Sequence, residues 1–130
     1  MSTPCAQPVG LQWVLLRHDV PGPAGVSGVD WHFDWMIERV VGGALLTFRV
    51  MVRVDEVGVT EFVATKLADH RAVYLEYEGE ISGGRGTVSR VASGKVLSVV
   101  EGAGEIAIAL DVGRFVGTVV RGDEWLFVRV

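Results

Sequence analysis

The sequence predicts an all-β protein, a compact antiparallel β-barrel of about eight strands with few or no helices. Three observations predict it. Roughly 25 of the 130 residues are valine, a β-branched type that suits a pleated, half-buried surface. The 17 glycines punctuate the chain, and no long segment keeps a clean helical apolar period. Short runs that alternate or are wholly apolar recur between Gly and Asp, at the spacing of many short strands. Such strands must hide their edges. A closed or nearly closed barrel does so, and a sandwich is the competing solution.

Residues 1–10, with Pro4, Pro8 and Gly10, read as a loose tail, and residues 11–130 as one domain. Leu11–His18 opens with an apolar run. Val20–Asp30, with two prolines and three glycines, reads as a surface loop. Trp31–Arg39 alternates cleanly, and Ala44–Val54 is apolar with Arg49 and Arg53 interposed. Thr60–Leu67 fits a helical turn or a strand. Arg71–Tyr77, Gly86–Val91 and Lys95–Val100 read as strands, the last two joined by a hairpin turn at Ala92-Ser93-Gly94. In Glu105–Val112, Ile106, Ile108 and Leu110 alternate. Phe115–Arg121 and Glu124–Val130 close the chain through a turn at Arg121-Gly122-Asp123. The run Trp125-Leu126-Phe127-Val128 is apolar on both faces, so the last strand is expected to be central or covered on its outer side.

Composition excludes several function classes. Cys5 is the single cysteine, which rules out an internal disulfide framework or a Cys-rich zinc site and fits a reducing compartment. No basic segment precedes an apolar one at the N-terminus, and no apolar run approaches membrane length, so a cytoplasmic protein without membrane contact is expected. The net charge of −4 argues against non-specific coating of duplex DNA, which draws affinity from Lys and Arg, but leaves room for a small basic cleft. The mean hydropathy of +0.36 requires a large core or an interface, and a homodimer is compatible with it.

Chemistry concentrates around the three histidines. On a strand, His32, Asp34, Met36 and Glu38 share one face, and Phe33, Trp35 and Ile37 the other. The second set is core. The first puts an imidazole and a carboxylate side by side, within reach of one metal ion or phosphate; the plainer reading is a solvated face or a simple His–Asp hydrogen bond. If the first two strands pair, His18 of Arg17-His18-Asp19 falls opposite His32. Two imidazoles and a carboxylate suit Mn²⁺, Fe²⁺ or Zn²⁺. In Asp69-His70-Arg71-Ala72-Val73-Tyr74, His70 and Tyr74 at i and i+4 share a face in a strand or a helix, so both can reach one cleft. The plainer reading there is a surface His and a buried Tyr. The stretch Glu78-Gly79-Glu80-Ile81-Ser82-Gly83-Gly84-Arg85-Gly86 either presents backbone N–H groups to an anion or is simply a tight connection. With no lysine and no following helical pattern it is not a P-loop.

The order of these pieces resembles a known family. His18-Asp19, then His32-Phe33-Asp34-Trp35-x-Ile37-Glu38, Asp69-His70-x-x-x-Tyr74, Tyr77-Glu78-Gly79 and a Gly-rich turn before Thr87-Val88 are similar to the 3′-phosphoesterase domain of bacterial DNA ligase D. The stretch from Gly117-Thr118-Val119-Val120 to Trp125-Leu126-Phe127-Val128 looks like that domain's closing hairpin. The resemblance runs from about residue 13 to the C-terminus. It implies a compact β-barrel with a surface groove. It also implies Mn²⁺-dependent trimming of DNA 3′ ends in repair, in which a terminal ribonucleoside and then the 3′-phosphate are removed. By position, His18, His32 and Asp34 match the metal ligands, and His70 and Tyr74 the phosphate-contacting pair.

The chain also departs from that pattern. Met36 stands where the family has an arginine, and a thioether makes no charge-assisted clamp on phosphate. No histidine precedes His18. Lys66 is the candidate for a basic residue usually found before the Asp-His motif, and Arg17, Arg71 and Arg85 are candidates to replace the arginine. No ligase or polymerase module accompanies the domain, so a stand-alone relative is expected, with a separate DNA ligase as a partner. Three readings follow. The first is a metal-dependent phosphoesterase acting on a nucleic-acid 3′ end or a small phosphoester. The second is a metal- and phosphate-binding barrel that recognises ends or a repair partner without turnover. The third is a structural or oligomerisation barrel.

Overall fold

The computed structural model describes residues 10–21 and 29–130. Nine strands form one antiparallel sheet: β1 (Leu11–Pro21), β2 (Val29–Glu38), β3 (Leu45–Val50), β4 (Glu61–Lys66), β5 (Gly79–Glu80), β6 (Thr87–Gly102), β7 (Glu105–Leu110), β8 (Gly113–Arg121) and β9 (Glu124–Arg129). They run in the order β1-β2-β3-β4-β9-β8-β7-β6-β5, and β1 also pairs with β6. Eight strands therefore close into a ring, with β5 appended outside on β6. The ring removes the free edges, as the all-β expectation requires. Among the described residues the only helical element is a 3-10 turn, Ala72–Leu75, and no helix is long and apolar enough to cross a membrane. The tail 1–9 and most of the loop Val20–Asp30 lie outside the described residues; Val20 and Pro21 extend β1, and Val29 and Asp30 begin β2.

Three local readings change or resolve. Arg71–Tyr77 is not a strand: it has no neighbour to pair with and winds into the 3-10 turn over the outer face of β1 and β2. Ala92-Ser93-Gly94 is not a turn but lies inside the 16-residue β6, which pairs with β1 over Thr87–Val96 and with β7 over Val96–Gly102. Gly94 is there for closeness. A Cβ would lie 2.5 Å from the Asp111 carboxylate and 2.6 Å from Trp13 Nε1, which donates to Asp111 Oδ1 at 2.8 Å. Thr60–Leu67 resolves as β4, whose Phe62 and Ala64 point inward while Glu61, Val63 and Thr65 face out. β9 sits between β4 and β8, so the C-terminal strand is central, and the turn Arg121-Gly122-Asp123 joins it to β8.

Inside the ring, Trp35 is fully buried and meets Phe48, Phe62, Phe115 and Phe127 at centroid distances of 5.3 to 6.1 Å. Gly117 makes room for this packing, since a Cβ there would lie 2.5 Å from the Phe127 ring. Phe33 and Ile37 share that inner face, as the alternation predicts. The opposite face of β2 is not solvated. Leu45, Val14, Leu16, Met36 and Val88 form a second apolar cluster on the outside of the ring, covered by Tyr74, Leu75 and Ile81. The segment from Leu67 to Gly86 thus lies as a flap over β1 and β2, and His32, Asp34 and Glu38 are buried beneath or beside it.

Candidate functional site

Pairing of β1 with β2 places His18 directly across from His32, and alternation puts Asp34 on the same outer face. The two imidazole rings meet edge-on at 4.8 Å. His32 Nε2 lies 3.0 Å from Asp34 Oδ1, and His18 Nδ1 lies 3.4 Å from Asp34 Oδ2. One donor atom from each residue falls within 4.8 Å of the others. His32 and Asp34 are only 8% and 3% exposed. Although close, His32 Nε2 and Asp34 Oδ1 are not aligned as donor and acceptor, and both are buried without a hydrogen bond.

Two unpaired buried polar atoms pointing at one spot are costly unless something there accepts their lone pairs. A cation does that. Two imidazole nitrogens and a carboxylate oxygen suit Mn²⁺, Fe²⁺ or Zn²⁺ and leave coordination positions open. His18 is prepared for the task from behind. Its Nε2 lies 2.8 Å from the Arg85 carbonyl, which can only accept, so Nε2 carries the proton and Nδ1 offers its lone pair beside Asp34. The Gly-rich turn delivers that carbonyl. Gly86 has φ +101, and a Cβ on it would lie 1.9 Å from the Asp19 carbonyl oxygen. Gly86→Ala is therefore expected to shift the Arg85 carbonyl and, if the triad holds a divalent metal ion, to weaken its binding by about 10–100-fold. Calorimetric titration checks this, with circular dichroism confirming that the strands remain. Unchanged affinity would mean that the carbonyl does not orient His18.

Two of the three, His18 and Asp34, line a cleft of about 370 Å³ between the flap and the ring, with His32 buried behind them. His18, Asp34 and Met36 contribute from the ring, and His70, Arg71, Tyr74 and Arg85 from the flap. His70 is anchored by its backbone: its N–H donates to the Leu45 carbonyl at 3.0 Å, and its carbonyl accepts from Leu45 N–H at 2.7 Å. Its Nδ1 donates to the Ala68 carbonyl at 2.8 Å. The 3-10 turn then carries Tyr74 back to His70, with ring centroids 5.8 Å apart. The sequence spacing anticipates this proximity, and a 3-10 turn rather than a strand delivers it.

Two of the basic candidates are not brought to the cleft. Arg17 is on the other face of β1 from His18, where its Nε donates to Asp19 at 3.0 Å and its guanidinium covers the Trp31 ring at 4.6 Å. Lys66 Nζ donates to the Leu67 carbonyl at 3.3 Å and stands 3.9 Å from Asp69, outside the cleft lining. Arg85 lines the cleft, while its Nε donates to the Ser82 carbonyl at 2.8 Å. Arg71 lines it with no hydrogen bond or ion pair to another described side chain. Glu38, on the triad's face, is structural: its carboxylate accepts from the N–H groups of Gln12 at 3.0 Å and Gly42 at 2.8 Å. Two features escape sequence reasoning. Ala68, Asp69, Ile81 and Val88 complete the lining, and Arg49 on β3 lies directly across the ladder from Asp34, exposed on the same outer face. Neither carries a local signal, because one depends on how the flap folds back and the other on strand register.

No protein-family model matches the chain, and no curated protein gives a significant match.

Proposed function

We propose that the protein is a metal-dependent phosphoesterase that trims nucleic-acid 3′ ends, with Mn²⁺ as its metal. The observation that carries this reading is the His18–His32–Asp34 group, with a half-buried His18 and an unpaired buried nitrogen and oxygen, whose His18 and Asp34 line a cleft that also holds Arg71, Arg85, His70 and Tyr74. The order of the same residues, similar to that of the 3′-phosphoesterase domain of bacterial DNA ligase D, supports it. His18 through Nδ1, His32 through Nε2 and Asp34 would hold the metal. When bound, the metal polarises a phosphoryl oxygen and makes a bound water more acidic. Arg71 and Arg85 hold the other phosphoryl oxygens through charge-assisted hydrogen bonds. Water would attack phosphorus as the bond to the 3′ oxygen breaks, with Tyr74 donating its hydroxyl hydrogen to the phosphate and His70 acting through Nε2 as the proton donor to the departing oxygen. The product, a 3′-hydroxyl, is what a separate DNA ligase requires, and a cytoplasmic location goes with that partner.

The test is release of inorganic phosphate from a 3′-phosphorylated oligonucleotide with and without Mn²⁺, for the wild type and His32→Ala. Mn²⁺-dependent release, reduced at least 10²-fold or so in the variant, is the expected result. A second reading rests on Met36, whose buried thioether occupies the position of the family's arginine. In that reading the barrel binds 3′ ends without turnover, and the assay would then yield a retained oligonucleotide and no phosphate. Absence of both binding and release across divalent metals would defeat both readings.

A further inference from the structure

β9 is apolar on both faces. Trp125 and Phe127 point into the ring, and Leu126 and Val128 point out of it. The flap covers the outer face of β1 and β2, whereas nothing among the described residues covers the outer face of β9 and its neighbours. Register joins the outward side chains of those strands into rows. Val128 on β9 pairs with Val116 on β8, Val116 with Ala107 on β7, and Ala107 with Val100 on β6. One pair to the side, Val63 on β4 meets Leu126, and Leu126 meets Thr118. Val63, Val100 and Val128 are 55%, 63% and 39% exposed, so apolar surface runs over five strands in open contact with solvent. Charge stands at its margins and in both signs. Arg114 on β8 flanks the Val116 row on one side, across from Ala109, and Glu105 on β7 flanks it on the other, across from Thr118. Both are exposed. Neither makes an ion pair or a side-chain hydrogen bond with another described residue.

We propose that this face docks a second copy of the same chain, through a two-fold axis that runs along the Val128–Val116–Ala107 row. The arrangement of charge selects a second copy over another partner. Turned about that axis, each strand lies over its own counterpart, so Val116 meets the partner's Val116 and Arg114 comes over the partner's Thr118. The partner's Glu105 is one strand from that point, about 4.8 Å to the side with the sheets about 10 Å apart, within the combined reach of an arginine and a glutamate side chain. The symmetry forms this pair twice. A ring of eight strands is convex, so contact concentrates on β9, β8 and β7, and Glu61 at the β4 end of the row turns away from its counterpart. The small Ala107 and Ala109 leave a depression of about 110 Å³ beside Val116, which lets the two sheets approach closely. Such an interface is smaller than the roughly 800 Å² per partner of stable dimers, so the association is reversible. β1 lies four strands from β9, and β2 four from β8, in either direction round the ring, so both clefts stay open. Docking of this kind is independent of the metal and phosphate chemistry of the cleft.

Sedimentation velocity of the full chain over a range of about 5 to about 500 µM tests this. The weight-average mass is expected to rise with concentration from 14.0 kDa toward twice that value. Val128→Glu sets like charges against each other close to the axis and should weaken association about tenfold or more. Arg114→Glu should weaken it several-fold. Adding Glu105→Arg to that variant should restore association, because the pair is then reversed rather than lost. Val57→Glu, exposed in the connection between β3 and β4 and away from this face, should leave association unchanged. Circular dichroism should show the same strand content in every variant. The readout is mass alone, so a failure of the phosphoesterase reading leaves this result untouched. A 14.0 kDa species at every concentration would overturn the proposal. So would a dimer that survives Val128→Glu, a dimer that Val57→Glu weakens as much as Val128→Glu does, or a double reversal that fails to restore association.

Discussion

Asp34→Asn is expected to abolish measurable Mn²⁺ binding while the barrel stays folded. Asp34 faces both histidines, with one carboxylate oxygen 3.0 Å from His32 Nε2 and the other 3.4 Å from His18 Nδ1. It is the only carboxylate in the cluster, so its removal leaves two neutral imidazoles and an amide around a divalent cation. Loss of a partner that merely orients a ligand costs roughly 10–100-fold in affinity, and loss of the charged ligand costs more. The fold should tolerate the change, because a buried carboxylate with an unpaired oxygen is itself destabilising by about 1–3 kcal/mol. The new amide can also donate to a histidine lone pair. Thermal unfolding reads both effects. Mn²⁺ at about 100 times its Kd should stabilise the wild type by about 2.7 kcal/mol and leave Asp34→Asn unmoved. A metal-induced rise in Tm that persists in the variant would place the cation elsewhere.

Trp35→Ala is expected to cost about 3–5 kcal/mol, a large share of the 5–15 kcal/mol typical of a whole domain. Trp35 is fully buried and is the hub on which Phe48, Phe62, Phe115 and Phe127 converge from β3, β4, β8 and β9. β4, β8 and β9 are not neighbours of β2 in the ring, so filling the gap would require strands on different sides of the ring to move together. Trp35→Phe should cost much less. It keeps most of the aromatic surface and removes an indole N–H that is buried without a partner. Urea denaturation of both variants checks the pair. A loss below about 1 kcal/mol for the alanine would mean that the ring does not depend on this side chain.

The candidate site was legible in part. The alternation of Trp31–Glu38 separates the inner core face, with Phe33, Trp35 and Ile37, from the outer face, and pairing across the Val20–Asp30 loop sets His18 opposite His32. The spacing of His70 and Tyr74 brings them together as expected. Arg17 and Lys66 misled because a basic residue near a motif in sequence says nothing about which face of a strand it takes. Met36 shows the reverse case: it is chemically inert toward phosphate, yet it is the floor on which the flap rests.

By itself the sequence determined the strand-rich class, the period-two faces and which functional groups share a strand. These are properties of neighbours one to four residues apart, and local sterics are enough to set them. Thr60–Leu67, Arg71–Tyr77 and Ala92-Ser93-Gly94 were decided elsewhere. β4 is a strand because β3 and β9 flank it. The 3-10 turn forms because Val14, Leu16 and Met36 offer an apolar floor and no ladder. Gly94 is a point of close approach because Trp13 and Asp111 meet over it. The proton on His18 Nε2 depends on a carbonyl 67 residues away. Ring closure, the flap and the orientation of His18, His32 and Asp34 come from contacts distant in sequence, and only the folded chain brings those partners together.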